Sequence, residues 1–258
     1  MRKWDALAVA VQHDVDAEEV FKEVEFLEKQ KLFEADEIVV ANDACEDVGS
    51  AGSALNAFLL TTERLCAKRG FTVLSEDVIN NSKILIVLVG PRTKDMLRSH
   101  GKAFEVETKE TPPIETDVGF VPDTPLVSAI RDAGRVAQET SVGVFLIGTE
   151  NKWNLGDIAP KVPSNTSITA YSFIAGPAIA ECHGVYLTDD TMKLKSLEYC
   201  CEERATKREQ HQIALAFLYL PPSIACAFLS LHSGFPMSSA TYYGIDSGAI
   251  GLKVLITG

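Results

Sequence analysis

The sequence predicts an α/β fold built on an open, largely parallel sheet with helices packed against it. Three observations carry that expectation. Short, almost wholly apolar runs, clearest at residues 84–89, read as strands covered on both faces. Segments with apolar residues at helical spacing lie between them, and this alternation favours βαβ units over a sandwich or a bundle. A length of 258 residues, 46% apolar and 23% charged, is enough for a sizeable core.

Residues 4–12 are nearly continuously apolar and form the first expected strand. In residues 17–33, Val20, Phe21, Val24, Phe26, Leu27 and Leu32 recur at roughly helical spacing, with Asp16 as the N-cap. Residues 37–41 read as a second short strand. The next helix covers 53–68, where Ala54, Leu55, Phe58, Leu59 and Leu65 face inward and Gly70 supplies the stop. Gly90-Pro91 closes the strand at 84–89. A helix follows over about 126–138, then strands over 142–147, 185–187, 194–199 and 213–220. Residues 105–124, with Pro112, Pro113, Pro122 and several acids, read as a loop, either a flap or a linker. The final run, 252–258, is strand-like and reads as the end of a truncated chain.

No residue from 213 to 231 is charged, a length that would span a bilayer. Pro221-Pro222 interrupts it, so the expectation is a core strand, a turn, and a buried helix over 223–231 with Pro222 near its first position. The N-terminus lacks an apolar run long enough for a signal peptide, because Asp5 breaks it and His13-Asp14 ends it. The formal charge of −12, from 24 Lys and Arg against 36 Asp and Glu, disfavours nucleic acid and anionic membranes as partners. Six cysteines without a CxxC pair fit neither a zinc site nor a disulfide framework, and a cytoplasmic location is expected.

The segment with the most chemical promise is Val48-Gly49-Ser50-Ala51-Gly52-Ser53-Ala54-Leu55-Asn56, small residues between a strand and a helix. Such a junction suits phosphate: glycines let the backbone approach, amides point at the anion, and the helix dipole favours negative charge. Ser50 and Ser53 add hydroxyls, Ser53 also being a candidate cap, and an ordinary connecting loop fits the same residues equally well. Walker A fails at Gly101-Lys102 for want of a glycine five residues before, and neither GxGxxG after the first strand nor GxSxG is present. Cys182-His183 are adjacent and poorly spaced for one metal, so His183 reads as structural. Glu150, just past the strand at 142–147, stands where ligands of open α/β sheets gather, although a solvated acid is the plainer reading.

The chain resembles the nucleotidyltransferase region of the GDP-fucose pyrophosphorylase and L-fucokinase family, over nearly all its length. The blocks that carry the resemblance are Trp4-Asp5-Ala6, the Gly49 to Ala57 segment, Gly70-Phe71-Thr72-Val73 with Asp77-Val78, Ile84-Leu85-Ile86, and Gly101-Lys102-Ala103-Phe104. The most specific are His183-Gly184-Val185-Tyr186-Leu187-Thr188-Asp189 and Gly244-Ile245-Asp246-Ser247-Gly248-Ala249.

The resemblance implies one Rossmann-like nucleotide-diphospho-sugar transferase domain over residues 1–258, truncated before the β-helix and the kinase domain of longer relatives. It implies transfer of GMP from GTP to fucose 1-phosphate, with GTP or ATP as nucleotide and Mg2+ as cofactor. By position, Gly49, Ser50, Gly52 and Ser53 would cradle phosphates, Asn56 would support the loop or the base, Lys102 would act in catalysis by neutralising phosphate charge, and Glu150 would hold the metal. Two departures stand out. Ala51 occupies a position where relatives carry glycine, with an expected cost of about 1–2 kcal/mol if the backbone there needs positive φ. Pro91 interrupts the GGxSxR pattern of active relatives and removes an amide. A degenerate sugar-nucleotide-binding module and a bare structural fragment are the alternatives.

Overall fold

The computed structural model describes residues 3–11, 14–43, 49–89, 114–116, 119–121, 124–139, 142–149, 165–180, 183–199 and 209–233. The first half holds β1 (Lys3–Trp4), β2 (Ala6–Val11), α1 (Asp14–Lys29), β3 (Glu34–Ala35), β4 (Ile38–Asn42), α2 (Gly49–Lys68), α3 (Glu76–Asn80) and β5 (Lys83–Leu88). There follow β6 (Ile114–Thr116), β7 (Gly119–Val121), α4 (Pro125–Val136), β8 (Gly143–Gly148), β9 (Thr169–Ala175), α5 (Pro177–Ala180), β10 (Gly184–Thr188), β11 (Leu194–Tyr199), β12 (His211–Leu220) and α6 (Pro222–Ser233).

Four strands run parallel in the order β4-β2-β5-β8. Every residue of β2 and β8 is buried, as expected for strands covered on both faces. Leu7, Val9 and Val11 of β2 point into a core shared with α1 and α4; Ala6, Ala8 and Ala10 point into another shared with α2, α3 and α6. The fold is therefore a mixed α/β sheet between two helical layers.

The remaining strands are antiparallel. Phe217 of β12 pairs with Ile147 of β8 and Leu220 with Val144, so the first half of β12 runs on past the carboxyl end of β8. Leu218 also pairs with Ala170, and Ile213 with both Phe173 and Val185. Since a strand has two edges, β9 lies along one edge of β12 while β8 and β10 share the other, with β11 outside β10. An antiparallel extension of β9, β12, β10 and β11 thus rises beyond the carboxyl edge of the parallel sheet.

The sequence expectations hold at the strands near 37–41, 84–89, 142–147, 185–187, 194–199 and 213–220, and at the helix opened by Pro222. No helix among the described residues is long and apolar enough to cross a membrane. Four boundaries differ. The first strand breaks at Asp5, because its carboxylate accepts the Lys83 amide at 2.8 Å and the Arg69 guanidinium at 2.7 Å. The first helix starts at Asp14, which puts Asp16 inside it and not at its cap. It ends where Lys31 turns left-handed (φ 56°) and the Leu32 amide returns to the Leu27 carbonyl. Gly70 performs the same turn after α2, with the Phe71 amide on the Cys66 carbonyl at 2.8 Å.

The second helix begins at Gly49, four residues before the expected start, so Ser53 is not its N-cap. Ala51, Gly52, Ala54 and Ala57 are buried in α2, and their small size lets it lie close on the alanine face of β2. Finally, the stretch expected to be a loop contains the β6–β7 hairpin, and β9 has no counterpart among the expected strands.

Candidate functional site

Chain direction across the sheet marks a candidate ligand position. From β2 the chain passes through α1 to β4 on one side, then through α2 to β5 on the other side of β2, and onward to β8. The direction of travel reverses between β2 and β5, and open α/β sheets take ligands beside the carboxyl ends of strands at such a reversal. Three bonds lace this edge: the Asp43 amide to the Val11 carbonyl at 3.0 Å, Val89 to Ala10 at 3.1 Å, and Thr149 to Leu88 at 3.0 Å.

The amino terminus of α2 opens on the same edge, beyond β4. Gly49 takes φ 77°, a conformation open to glycine at little cost, and Ser50 is exposed. The first-turn amides of a helix have no partner within it, so this end attracts negative charge. The next residues face elsewhere. Ala51 and Gly52 are buried. Ser53 Oγ donates to Asp43 Oδ2 at 2.7 Å, and Asn56 Nδ2 donates to the Asn42 carbonyl at 2.7 Å.

Of the residues expected at the site, Gly49, Ser50, Gly52, Ser53 and Asn56 therefore share the first two turns of α2; Ser50 is exposed, Gly49, Ser53 and Asn56 are half-buried and Gly52 is buried. Lys102 and Glu150, together with Pro91, lie outside the described residues. Ala51 carries no backbone penalty: among the described non-glycine residues positive φ occurs at Lys31 and Met192, and Ala51 is helical. The expected cost of its missing glycine is withdrawn.

Asn42 and Asp43 are absent from the sequence-derived set, yet they tie α2 to the edge of the sheet. Their signal was positional, a polar pair directly after an apolar strand at its carboxyl end. Asp43 brings a carboxylate to the positive end of α2, where the dipole stabilises it. A magnesium ion would need several oxygen ligands. Among the described residues no group of three His, Cys, Asp or Glu is arranged to hold a metal.

Two other features have structural explanations. Asp189, which ends the His183 to Asp189 string, accepts the Thr191 hydroxyl at 2.6 Å, the Thr191 amide at 2.9 Å and the Lys193 amide at 3.0 Å. The Thr191 hydroxyl, followed by the Lys193 amide, holds its carboxyl below the usual range, and the residue fixes the β10–β11 turn. On the opposite helical layer, Glu23 of α1 accepts the Thr124 hydroxyl at 3.3 Å, while Thr124 caps α4 by accepting the Val127 amide at 3.2 Å. Burial pushes the Glu23 carboxyl up to about 7, against the opposing pull of Thr124.

Cys66 and Cys226 are free thiols. No protein-family model matches the chain, and no curated protein matches it.

Proposed function

We propose that the chain is a nucleotidyltransferase-like domain of fucose activation, Rossmann-like and related to the GDP-fucose pyrophosphorylase and L-fucokinase family. The reading has it transfer GMP from GTP to fucose 1-phosphate. A phosphate oxygen of the sugar phosphate attacks the α-phosphorus of GTP, and the bond to the departing pyrophosphate breaks. Little covalent work falls to the protein in such a reaction; holding the groups in line and countering charge are its tasks.

One observation carries this reading: a helix start with a left-handed Gly49 and an exposed Ser50, at the carboxyl edge of a sheet whose chain direction reverses beside it. The antiparallel extension above that edge supports it, since a second wall is needed to enclose a sugar phosphate beside a nucleotide.

The test is thermal. Millimolar GTP should raise the melting temperature, with a further rise on adding fucose 1-phosphate, because a ligand that binds the folded state alone stabilises it. Pyrophosphate release then tests turnover. A flat melting temperature under all combinations, with and without magnesium, removes the proposal.

The bonds Ser53–Asp43 and Asn56–Asn42 favour a second reading, a degenerate module that binds a sugar nucleotide without turnover, because they spend two expected ligand groups on the fold. A GDP-fucose-dependent melting shift with no pyrophosphate release identifies it.

A further inference from the structure

The turn between β10 and β11 holds a bulky residue in a conformation that suits a small one. The Met192 amide donates to the Asp189 carbonyl at 3.0 Å and the Asp189 amide to the Lys193 carbonyl at 2.9 Å, which closes the turn tightly. Met192 itself is left-handed, at φ 64°, where such turns ordinarily use glycine or asparagine. A methionine there is strained, and the Asp189 carboxylate, bonded to Thr191 and Lys193, fixes the turn around it. Its side chain is 65% exposed.

The exposed sulfur meets a donor on the next strand. Gln212 Nε2 of β12 donates to Met192 Sδ at 3.5 Å. The backbone of Gln212 is set by pairing on both sides, with Ile174 of β9 and with Tyr186 of β10. A fixed strand therefore presents an amide N–H to a thioether, which accepts it only weakly. The sulfoxide of the same residue carries a polar oxygen, an acceptor suited to that donor.

We propose that Met192 is a reversible oxidation site for peroxide, and that its sulfoxide oxygen takes the Gln212 amide and ties the β10–β11 turn to β12. In the step, a sulfur lone pair attacks one oxygen of hydrogen peroxide. The sulfur–oxygen bond forms as the oxygen–oxygen bond breaks, and sulfur gives up two electrons to the peroxide. The proton of the transferred hydroxyl passes to the departing hydroxide, which leaves as water. Oxidation of a core methionine disrupts packing, whereas this side chain is already exposed, so the change strengthens a contact without opening a core. Methionine sulfoxide reductase returns the thioether and the weaker contact.

The test treats the folded full chain with hydrogen peroxide, maps each methionine by peptide mass spectrometry, and follows amide hydrogen exchange in the peptide that holds the turn. Met192 should gain one oxygen at a rate within about tenfold of free methionine, and the two epimer-specific reductases together should remove it. The oxidised wild type should exchange its turn amides at least about threefold more slowly than the reduced protein. Gln212→Leu and Gln212→Glu, neither of which carries the N–H donor, should oxidise at Met192 without that slowing. Met192→Leu, treated alike, should show no change, which assigns the effect to this methionine. Oxidation at Met192 more than about tenfold slower than free methionine overturns the proposal. So does a wild type whose turn exchanges as fast or faster once oxidised, or a slowing that either Gln212 variant retains in full.

Discussion

Ser53 Oγ donates to Asp43 Oδ2 across 2.7 Å, joining the second turn of α2 to the end of the strand before it. The bond puts a protein carboxylate near the positive end of the helix, the same electrostatic position that a phosphate would seek. Asp43 thus stabilises the folded chain and opposes an anionic ligand at once.

Replacing Asp43 by Asn separates those effects. The amide oxygen still accepts from Ser53, while the charge that favours the helix start is lost, at a cost of about 0.3–1 kcal/mol in stability. Removing one negative charge beside a bound triphosphate should tighten it by about 1 kcal/mol, several-fold in Kd. Titration of GTP in magnesium-free buffer, beside a melting curve of the free protein, checks both signs. Weaker GTP binding by Asp43→Asn would count against a phosphate seat at Gly49 and Ser50.

Gly143 has no room for a side chain. Its φ is 114°, and a Cβ there would stand 2.5 Å from Cε2 of Tyr219, whose ring lies over it and whose hydroxyl donates to the Val142 carbonyl at 3.2 Å. Gly143→Ala must shift the ring or the strand and adopt a strained backbone, for a loss of about 2–4 kcal/mol. Urea unfolding of the variant reads that loss in its midpoint. Tyr219→Leu, which removes the aromatic contact, should recover part of it in the double variant.

Lys83 opens β5 with a buried side chain. Its Nζ donates to the Ala137 carbonyl just past the end of α4 at 2.7 Å, and lies 4.8 Å from the centre of the Trp4 ring. A cation there meets the negative end of the helix and the face of an aromatic ring together. Lys83→Met fills much of the space without the charge and should lower stability by about 1–3 kcal/mol. A Lys83→Met protein as stable as the wild type would show that burying the ammonium cancels these two contacts.

The parallel half of the fold is legible in the sequence because its central strands are buried on both faces, which leaves an uninterrupted apolar run such as residues 84–88. β9 is not legible, since an edge strand with exposed Ser172, Phe173 and Ile174 mixes polar and apolar residues without alternation. The break at Asp5 depends on the Lys83 amide, far away in the chain, and no local pattern reports it. The early start of α2 runs against the poor helix propensity of glycine; close packing of Gly52, Ala54 and Ala57 on the sheet outweighs it. For the same reason the small-residue run is part helix start and part packing surface, and composition alone does not divide the two.

Glu23 makes stability depend on pH near neutrality. Burial raises its carboxyl from the ordinary 4.5 to about 7 in the folded chain, so the folded state binds the proton more tightly than the unfolded one. Below 4.5 both states are protonated and nothing is lost. As pH rises from 4.5 toward 7 the unfolded state releases its proton first, so stability falls across that window and levels off above it. The fall amounts to about 3 kcal/mol. Glu23→Gln keeps the size, can still accept the Thr124 hydroxyl and cannot ionise. The variant should match the wild type near pH 4 and exceed it by up to about 3 kcal/mol at pH 8, measured as the difference in denaturant midpoints along a pH series. Taking the difference cancels the other carboxylates, and two curves that stay parallel from pH 4 to 8 would mean that Glu23 titrates like a solvated acid.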